Sequence, residues 1–234
     1  MTSATEEYAV IHVTLKTPLA IGKTGARPVL DSLLLQRLML LHDADMGQAR
    51  ASMPLARLDD IWACGGGYDP WLGRFVQRRP IFRKFMTPAL MDIAEAHNGV
   101  TRDRFPYRLT TLLGSYQSAT SNQYMVSDAM RVDFRMLGDP AAVVRLLTVE
   151  PYLGPGQSCG FGEIAQVAME PAGPHDRTWL LTDPGQRLTR PIPEALASHI
   201  DTALAWQDQV RVEAPYWKGN FRPGWRPRNV DVSG

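Results

Sequence analysis

Cysteine is scarce in this 234-residue sequence: Cys64 and Cys159 stand far apart, each beside a glycine, which suits reduced thiols rather than a disulfide framework. Two cysteines with five scattered histidines also lack the paired spacing of a zinc site. No run approaches the roughly 18–20 consecutive apolar residues that a membrane helix needs. The opening MTSATEEYAV carries acids but no basic stretch leading into an apolar one, so no signal peptide is expected. These absences predict a cytoplasmic chain with no membrane contact and no cofactor. An excess of one charge is missing too. Lys and Arg number 25 against 24 Asp and Glu, a net charge of +1, which excludes a uniformly basic coat.

The distribution of charge says more than the sum. From Arg74 to Lys84 the chain sets Arg74, Arg78, Arg79, Arg83 and Lys84 among aromatics with no acid between them. A second basic stretch alternates Lys218, Arg222, Arg226 and Arg228 with Tyr216, Trp217, Phe221 and Trp225. The first sixty residues are close to neutral.

Residues 8–15, YAVIHVTL, alternate and are β-branched, which predicts a first strand. A Pro/Gly loop follows, then a helix whose Leu30, Leu33, Leu34, Leu38 and Leu41 recur at helical spacing. Residues 53–64 alternate and predict a second strand, and the GGGYDP run after it reads as a turn into an extended basic segment. PALMDIAEAHNG, residues 88–99, reads as a short helix closed by Asn98 and Gly99, and residues 102–124 as irregular loop. MRVDFRML predicts a strand with Val132, Phe134 and Met136 on one face. Asp139 and Pro140 then open a helix as N-cap and N1. A glycine-rich loop leads to a last strand, EIAQVAME, and a further helix is expected across residues 194–209. With the middle set aside, the order is βαββαβ: an α+β, ferredoxin-like or RRM-like domain over residues 1–171, with an insertion at 65–123 and a C-terminal extension at 172–234. Fold alone licenses no function.

Two motifs carry a resemblance. LGPGQSCGFGEI holds Gly154, Gly156, Gly160 and Gly162 between the second helix and the last strand. PLAIGKTGARPVLDSLLLQRL contains Leu30-Asp31-Ser32-Leu33-Leu34 at the start of the first helix. Together they resemble the glycine-rich loop and the LDGLL helix opening of the RAMP superfamily of CRISPR-associated proteins, with Ser32 where glycine is usual. TRPIPEAL, residues 189–196, is similar to an arginine–proline signature of the Cas-five-type third Csf subunit of type IV systems. The resemblance implies a non-catalytic subunit that holds the 5′ repeat-derived handle of the crRNA and caps the backbone filament beside its neighbouring subunits. The basic insertion would be the thumb that grips the handle.

On that reading the RNA-binding residues are Lys23, Arg27, Arg74, Arg78, Arg79, Arg83, Lys84, Gly154, Gly156, Gln157, Ser158, Gly160, Phe161 and Gly162. Glycines let a backbone approach a phosphate chain closely, and arginines neutralise phosphates. Each feature has a plainer alternative. Gly160 and Gly162 could serve a bulge entering a strand, and the cations of 74–84 could guard an edge strand. The Trp/Arg-rich tail could stack on bases, or dock as an extended arm on a neighbour or on its own domain. His12 and His42 are the candidate bases of the alternative activity, a metal-independent endoribonuclease of CRISPR repeats. Against that, His12 falls mid-strand, and His42 falls where it would cap the first helix.

Overall fold

The computed structural model describes residues 6–21, 27–68, 76–82, 121–155, 157, 160–216 and 220–228, with the backbone alone at 76–82, 121–125, 199 and 204. The fold is mixed α+β, built on small antiparallel sheets and, among the described residues, four α-helices. The chain divides into two compact units, Met1–Gln77 with Met125–Gly234, and Arg78–Tyr124. In the smaller unit two strands run side by side, β5 (Val76–Phe82) and the first half of β6 (Ser121–Ser127).

The larger unit centres on β1 (Glu7–Leu15), flanked by β7 (Arg131–Gly138) and β8 (Ile164–Pro171). Alternation makes this sheet two-faced. Ala9, Ile11, Val13 and Leu15 point into a core with Val132, Phe134 and Met136 of β7. Helix α1 (Leu30–Leu41) adds Leu30, Leu34 and Leu38, and α3 (Pro140–Leu147) adds Val143 and Leu147. Between these helices in the chain lies the short α2 (Met46–Ala51), capped by Asp45. The Asp139 side chain accepts from Ala142 N at 2.9 Å and caps α3, with Pro140 opening it as expected. β2 (Leu19–Ile21) is buried and pairs with Met125–Ser127 of β6.

The segment expected as a single second strand folds back on itself. β3 (Arg57–Leu58) and β4 (Ile61–Trp62) form a tight hairpin turned at Asp59, whose φ is +53°. Aspartate tolerates that left-handed conformation, so Asp59-Asp60 is a competent two-residue turn that apolar alternation does not reveal. The glycines of GGGYDP are a second correction. Rather than turning, residues 64–68 run along the open edge of β7, with Cys64 bridging Met136 and Tyr68 bridging Asp133. A β-carbon on Gly66 would lie 2.0 Å from the Thr189 carbonyl oxygen, so glycine is required there by close approach.

The C-terminal extension builds a second core. Ala56, Leu58 and Ile61 of the hairpin pack with Leu180, Leu188, Ile192, Leu196, Val210 and Val212. Leu180 comes from α4 (Arg177–Leu181), and Ile192 from β9 (Ile192–Pro193). The helix expected over 194–209 is replaced by 3-10 turns at Glu194–His199 and Thr202–Leu204 and by β10 (Ala205–Val210). Asp201 accepts from Ala203 N at 2.9 Å, a local bond that competes with helix propagation. β10 then finds a long-range partner, β11 (Arg222–Pro227). Residues 121–124, polar and read as loop, are likewise strand because of pairing partners. The arginine-rich tail docks on its own domain: Arg226 Nε lies 2.9 Å from Asp208 Oδ2, and its guanidinium stacks over Trp206. The predicted helix at 88–99 lies outside the described residues. No helix among the described residues is long and apolar enough to cross a membrane.

Cys64 is fully buried beside Arg190 and Asp31. Burial first, and the Asp31 carboxylate second, push its thiol up to about 12. At pH 8 in a Cys159→Ser variant, Cys64 should therefore resist thiol reagents until denaturant is added. Rapid stoichiometric labelling of the native protein would contradict the buried position.

Candidate functional site

The glycine-rich loop joins α3 to β8, and its two ends are stitched to each other and to the end of β1. Leu153 N donates to Gly162 O at 2.8 Å, and Ile164 N to Pro151 O at 2.7 Å. Gly162 N donates to Pro18 O at 2.9 Å, Glu163 N to Thr17 Oγ1 at 2.8 Å, and Lys16 Nζ to Glu163 Oε1 at 2.7 Å. Arg37, buried on α1, holds the approach to the loop: it donates to Tyr152 O at 2.5 Å and pairs with Glu150 at 2.9 Å. Burial pulls the Arg37 guanidinium below its ordinary pKa, against the pull of Glu150. The loop thus stands on a fixed base.

Its glycines divide into two kinds. Gly154 and Gly162 have φ of +77° and +71°, and β-carbons there would lie 2.7 Å from Ala20 O and 2.0 Å from Leu153 O. Packing inside the chain accounts for both. Gly160 has φ of +78° and nothing within 4 Å of a built β-carbon, so its surroundings are open. Gly160 N donates to Gln157 O at 2.9 Å, and Gln157 Nε2 reaches Gly154 O at 3.4 Å, so Gln157 shapes the loop as well as standing in it. Phe161 is half-buried.

The sheet face away from the core carries a polar cluster around the middle of β1. His12 stands between Asp133 on β7 and Glu170 on β8, with its Nδ1 2.9 Å from Asp133 Oδ1 and its Nε2 3.2 Å from Glu170 Oε2. Arg131 grips Asp133 through Nε at 2.8 Å and Nη2 at 3.0 Å, and the same Nη2 lies 2.6 Å from His12 Nδ1. Guanidinium nitrogens only donate and carboxylate oxygens only accept, so Nδ1 serves either Arg131 or Asp133 and not both at once, whereas Nε2 can donate only to Glu170. The hydrogen bond to Asp133 lifts Arg131 above its ordinary pKa. Two carboxylates against one arginine make this a poor surface for phosphates. The Tyr8 end of the face is covered by the extension: Trp179 stacks on His175 at 4.1 Å and meets Tyr8 edge-on, while Arg135 donates to Trp179 O and Thr182 O.

A third constellation is wholly internal. Arg190 is fully buried and donates from Nη1 to Trp62 O and Cys64 O, both at 3.0 Å. From Nη2 it reaches Asp31 at 3.0 Å, Val212 O at 2.7 Å and Tyr216 OH at 2.7 Å, and that hydroxyl donates on to Asp31. Burial works to lower the guanidinium's pKa, but Asp31, Tyr216 and Cys64 outweigh it and the net shift is upward. Burial, first, raises Tyr216 well above its ordinary value, so it stays a neutral donor. Asp31 of LDSLL and Arg190 of TRPIPEAL, two motifs distant in sequence, are thus one ion pair.

Of the other residues expected in RNA contact, Arg27 lies 3.8 Å from Asp183 in the extension. Arg78 and Arg79 lie on β5, where the backbone alone is described. Lys23, Arg74, Arg83, Lys84, Gly156 and Ser158 lie outside the described residues. His42 occupies the C-cap of α1, its backbone N–H donating to Leu38 O. The buried arginines 37 and 190 were not foreseen as buried; arginine on an otherwise apolar helix face, Arg37 among leucines, was the available signal. No protein-family model matches the chain, and no curated protein matches it in sequence.

Proposed function

We propose that the chain is a non-catalytic RNA-holding subunit of the RAMP type, which grips the 5′ repeat-derived handle of a crRNA beside a filament of backbone subunits. The observation that carries this reading is the glycine-rich loop, set firmly between α3 and β8 with its Gly160 region left open. The Gly160 amide is taken by Gln157 O, so what glycine supplies there is room for a phosphate chain to approach the backbone closely. The strand–helix order around β1, β7 and β8, with residues 64–68 beside β7, supports a ferredoxin-like βαββαβ core. The acidic balance around His12 favours contact through the loop and the basic segment 74–84 over contact through the sheet face. Assignment to type IV rests on the LDSLL and TRPIPEAL resemblance.

The endoribonuclease alternative has one observation in its favour, a histidine flanked by carboxylates. Both ring nitrogens of His12 already face protein partners, which supports a structural histidine. One gel separates the two readings. In EDTA, labelled repeat RNA should be bound intact and more tightly than an unrelated hairpin, with affinity falling steeply as salt rises. Arg78, Arg79 and Arg83 reversed to glutamate should weaken binding more than His12→Ala. Site-specific cleavage lost in His12→Ala would make the chain a nuclease instead. Absence of both binding and cleavage, with the backbone partner present, would end the RNA reading.

A further inference from the structure

Away from the glycine loop, the C-terminal extension borders a half-open pocket of about 300 Å³ between the end of α2, the β3–β4 turn, the residues after β10 and the start of β11. That volume is at the small end of ligand pockets and suits a single small molecule or one unit of a polymer. Its walls are dominated by guanidinium groups: Arg50, Arg211 and Arg222 line it. Two carboxylates, Asp60 and Glu213, line it as well. Each has an arginine close by. Arg222 pairs with Asp60, and Glu213 takes its short contact, 3.0 Å, from Arg57 just outside the lining. Arg50 stands farther from Glu213, at 3.9 Å, and donates to Ala214 O. Within the lining three guanidiniums stand against two carboxylates, an excess of one positive charge. Asn220 adds an amide that can both donate and accept.

An aromatic stands next to Asn220. Phe221 is 59% exposed, among the most exposed large apolar side chains described. The Arg211 guanidinium lies 4.2 Å over one side of its ring. A Phe in open solvent, backed by arginine and adjoining a cationic cavity, has the composition of a base-stacking platform. Arginine forks match phosphate oxygens in pairs, which makes the same cavity suited to a phosphoryl group.

We propose that this cavity is a binding site for a nucleoside 5′-phosphate, with the phosphoryl group on Arg50 and Arg222 beside Asn220 and the base against Phe221. The site stands independently of the loop described above. The nucleotide can be free or can be the phosphorylated 5′ end of a single-stranded RNA, since both present the same chemistry.

Calorimetric titration of the full chain at low salt tests it with AMP, UMP, adenosine and inorganic phosphate. AMP and UMP should bind comparably, because stacking reads no particular base, and at least tenfold more tightly than adenosine or inorganic phosphate. Arg50→Gln should weaken AMP binding about tenfold or more, the worth of one charge-assisted hydrogen bond. Phe221→Ala should weaken AMP binding about five- to fiftyfold while leaving inorganic phosphate unchanged. Both side chains are exposed enough that an unchanged unfolding midpoint should accompany each substitution. A decamer RNA unrelated to any repeat, with and without a 5′-phosphate, identifies the source. Preference for the phosphorylated decamer, lost in Arg50→Gln, assigns an RNA end; AMP binding without that preference assigns a free nucleotide. Equal affinity for AMP and adenosine, no AMP binding at millimolar concentration, or indifference of AMP affinity to Phe221→Ala overturns the proposal. Failure of repeat-RNA recognition with AMP binding intact would count against the loop reading alone.

Discussion

Replacing Arg190 with methionine should lower the unfolding midpoint by about 6–20 °C, the consequence of about 3–5 kcal/mol in a chain of this length. The physical reason is what Arg190 leaves behind. Asp31 is fully buried, and without the guanidinium its charge would face only Tyr216 OH and the start of α1. The carbonyls of Trp62, Cys64 and Val212 would lose their donor as well. Removing one partner of a buried pair costs far more than removing both. The double variant Asp31→Asn with Arg190→Met should therefore regain part of the loss, a non-additivity that a thermal melt reads directly. Strict additivity would show that the two residues act separately. Arg190 is also the tether of residues 212 and 216, so trypsin should clip the Arg190→Met protein between Arg211 and Arg228 faster than the native one. Equal clipping would confine the role of Arg190 to the core.

That cluster illustrates where sequence reasoning reaches and where it stops. Local periodicity was enough for β1, whose buried positions 9, 11, 13 and 15 alternate as expected, and for β7 with Val132, Phe134 and Met136. It was also enough for α3, because Asp139-Pro140 is a local capping signal. The α+β class and the position of the glycine loop follow from those elements. Pairing decided by distant segments was not legible. β10 looks helical until Arg222–Pro227 lies beside it, and Gly65–Gly67 look like a turn until Thr189 presses against the first two and Val132 and Phe134 against the third. Arg190 sits in a motif noticed only for its arginine and proline. Its partners lie 159, 126 and 22 residues away, and no local pattern encodes that convergence. The candidate site was legible as a glycine-rich loop, but not as one structural half and one open half.

The division within that loop sets the second large effect. Gly162→Ala should destabilise the protein by about 3–5 kcal/mol, whether or not the protein meets RNA. The left-handed backbone strains any β-carbon, and this one would meet the Leu153 carbonyl oxygen at 2.0 Å, a backbone atom with no rotamer to escape into. Moving it would break the 2.8 Å bond from Leu153 N to Gly162 O, which closes the base of the loop. Gly160→Ala meets nothing within 4 Å, so only the conformational strain remains, about 1–2 kcal/mol. Gly160→Asn should cost less still, because asparagine tolerates the left-handed region. Melting curves of the three variants thus test the geometry alone, and similar losses for Gly160→Ala and Gly162→Ala would contradict it. RNA affinity then isolates function. If backbone near Gly160 approaches phosphates, Gly160→Asn and Gly160→Val should both weaken repeat-RNA binding, with the folded fraction unchanged and the bulkier, β-branched side chain doing more. Affinity untouched by Gly160→Val would leave the loop a structural junction and move the RNA contact to the basic segment between Arg74 and Lys84.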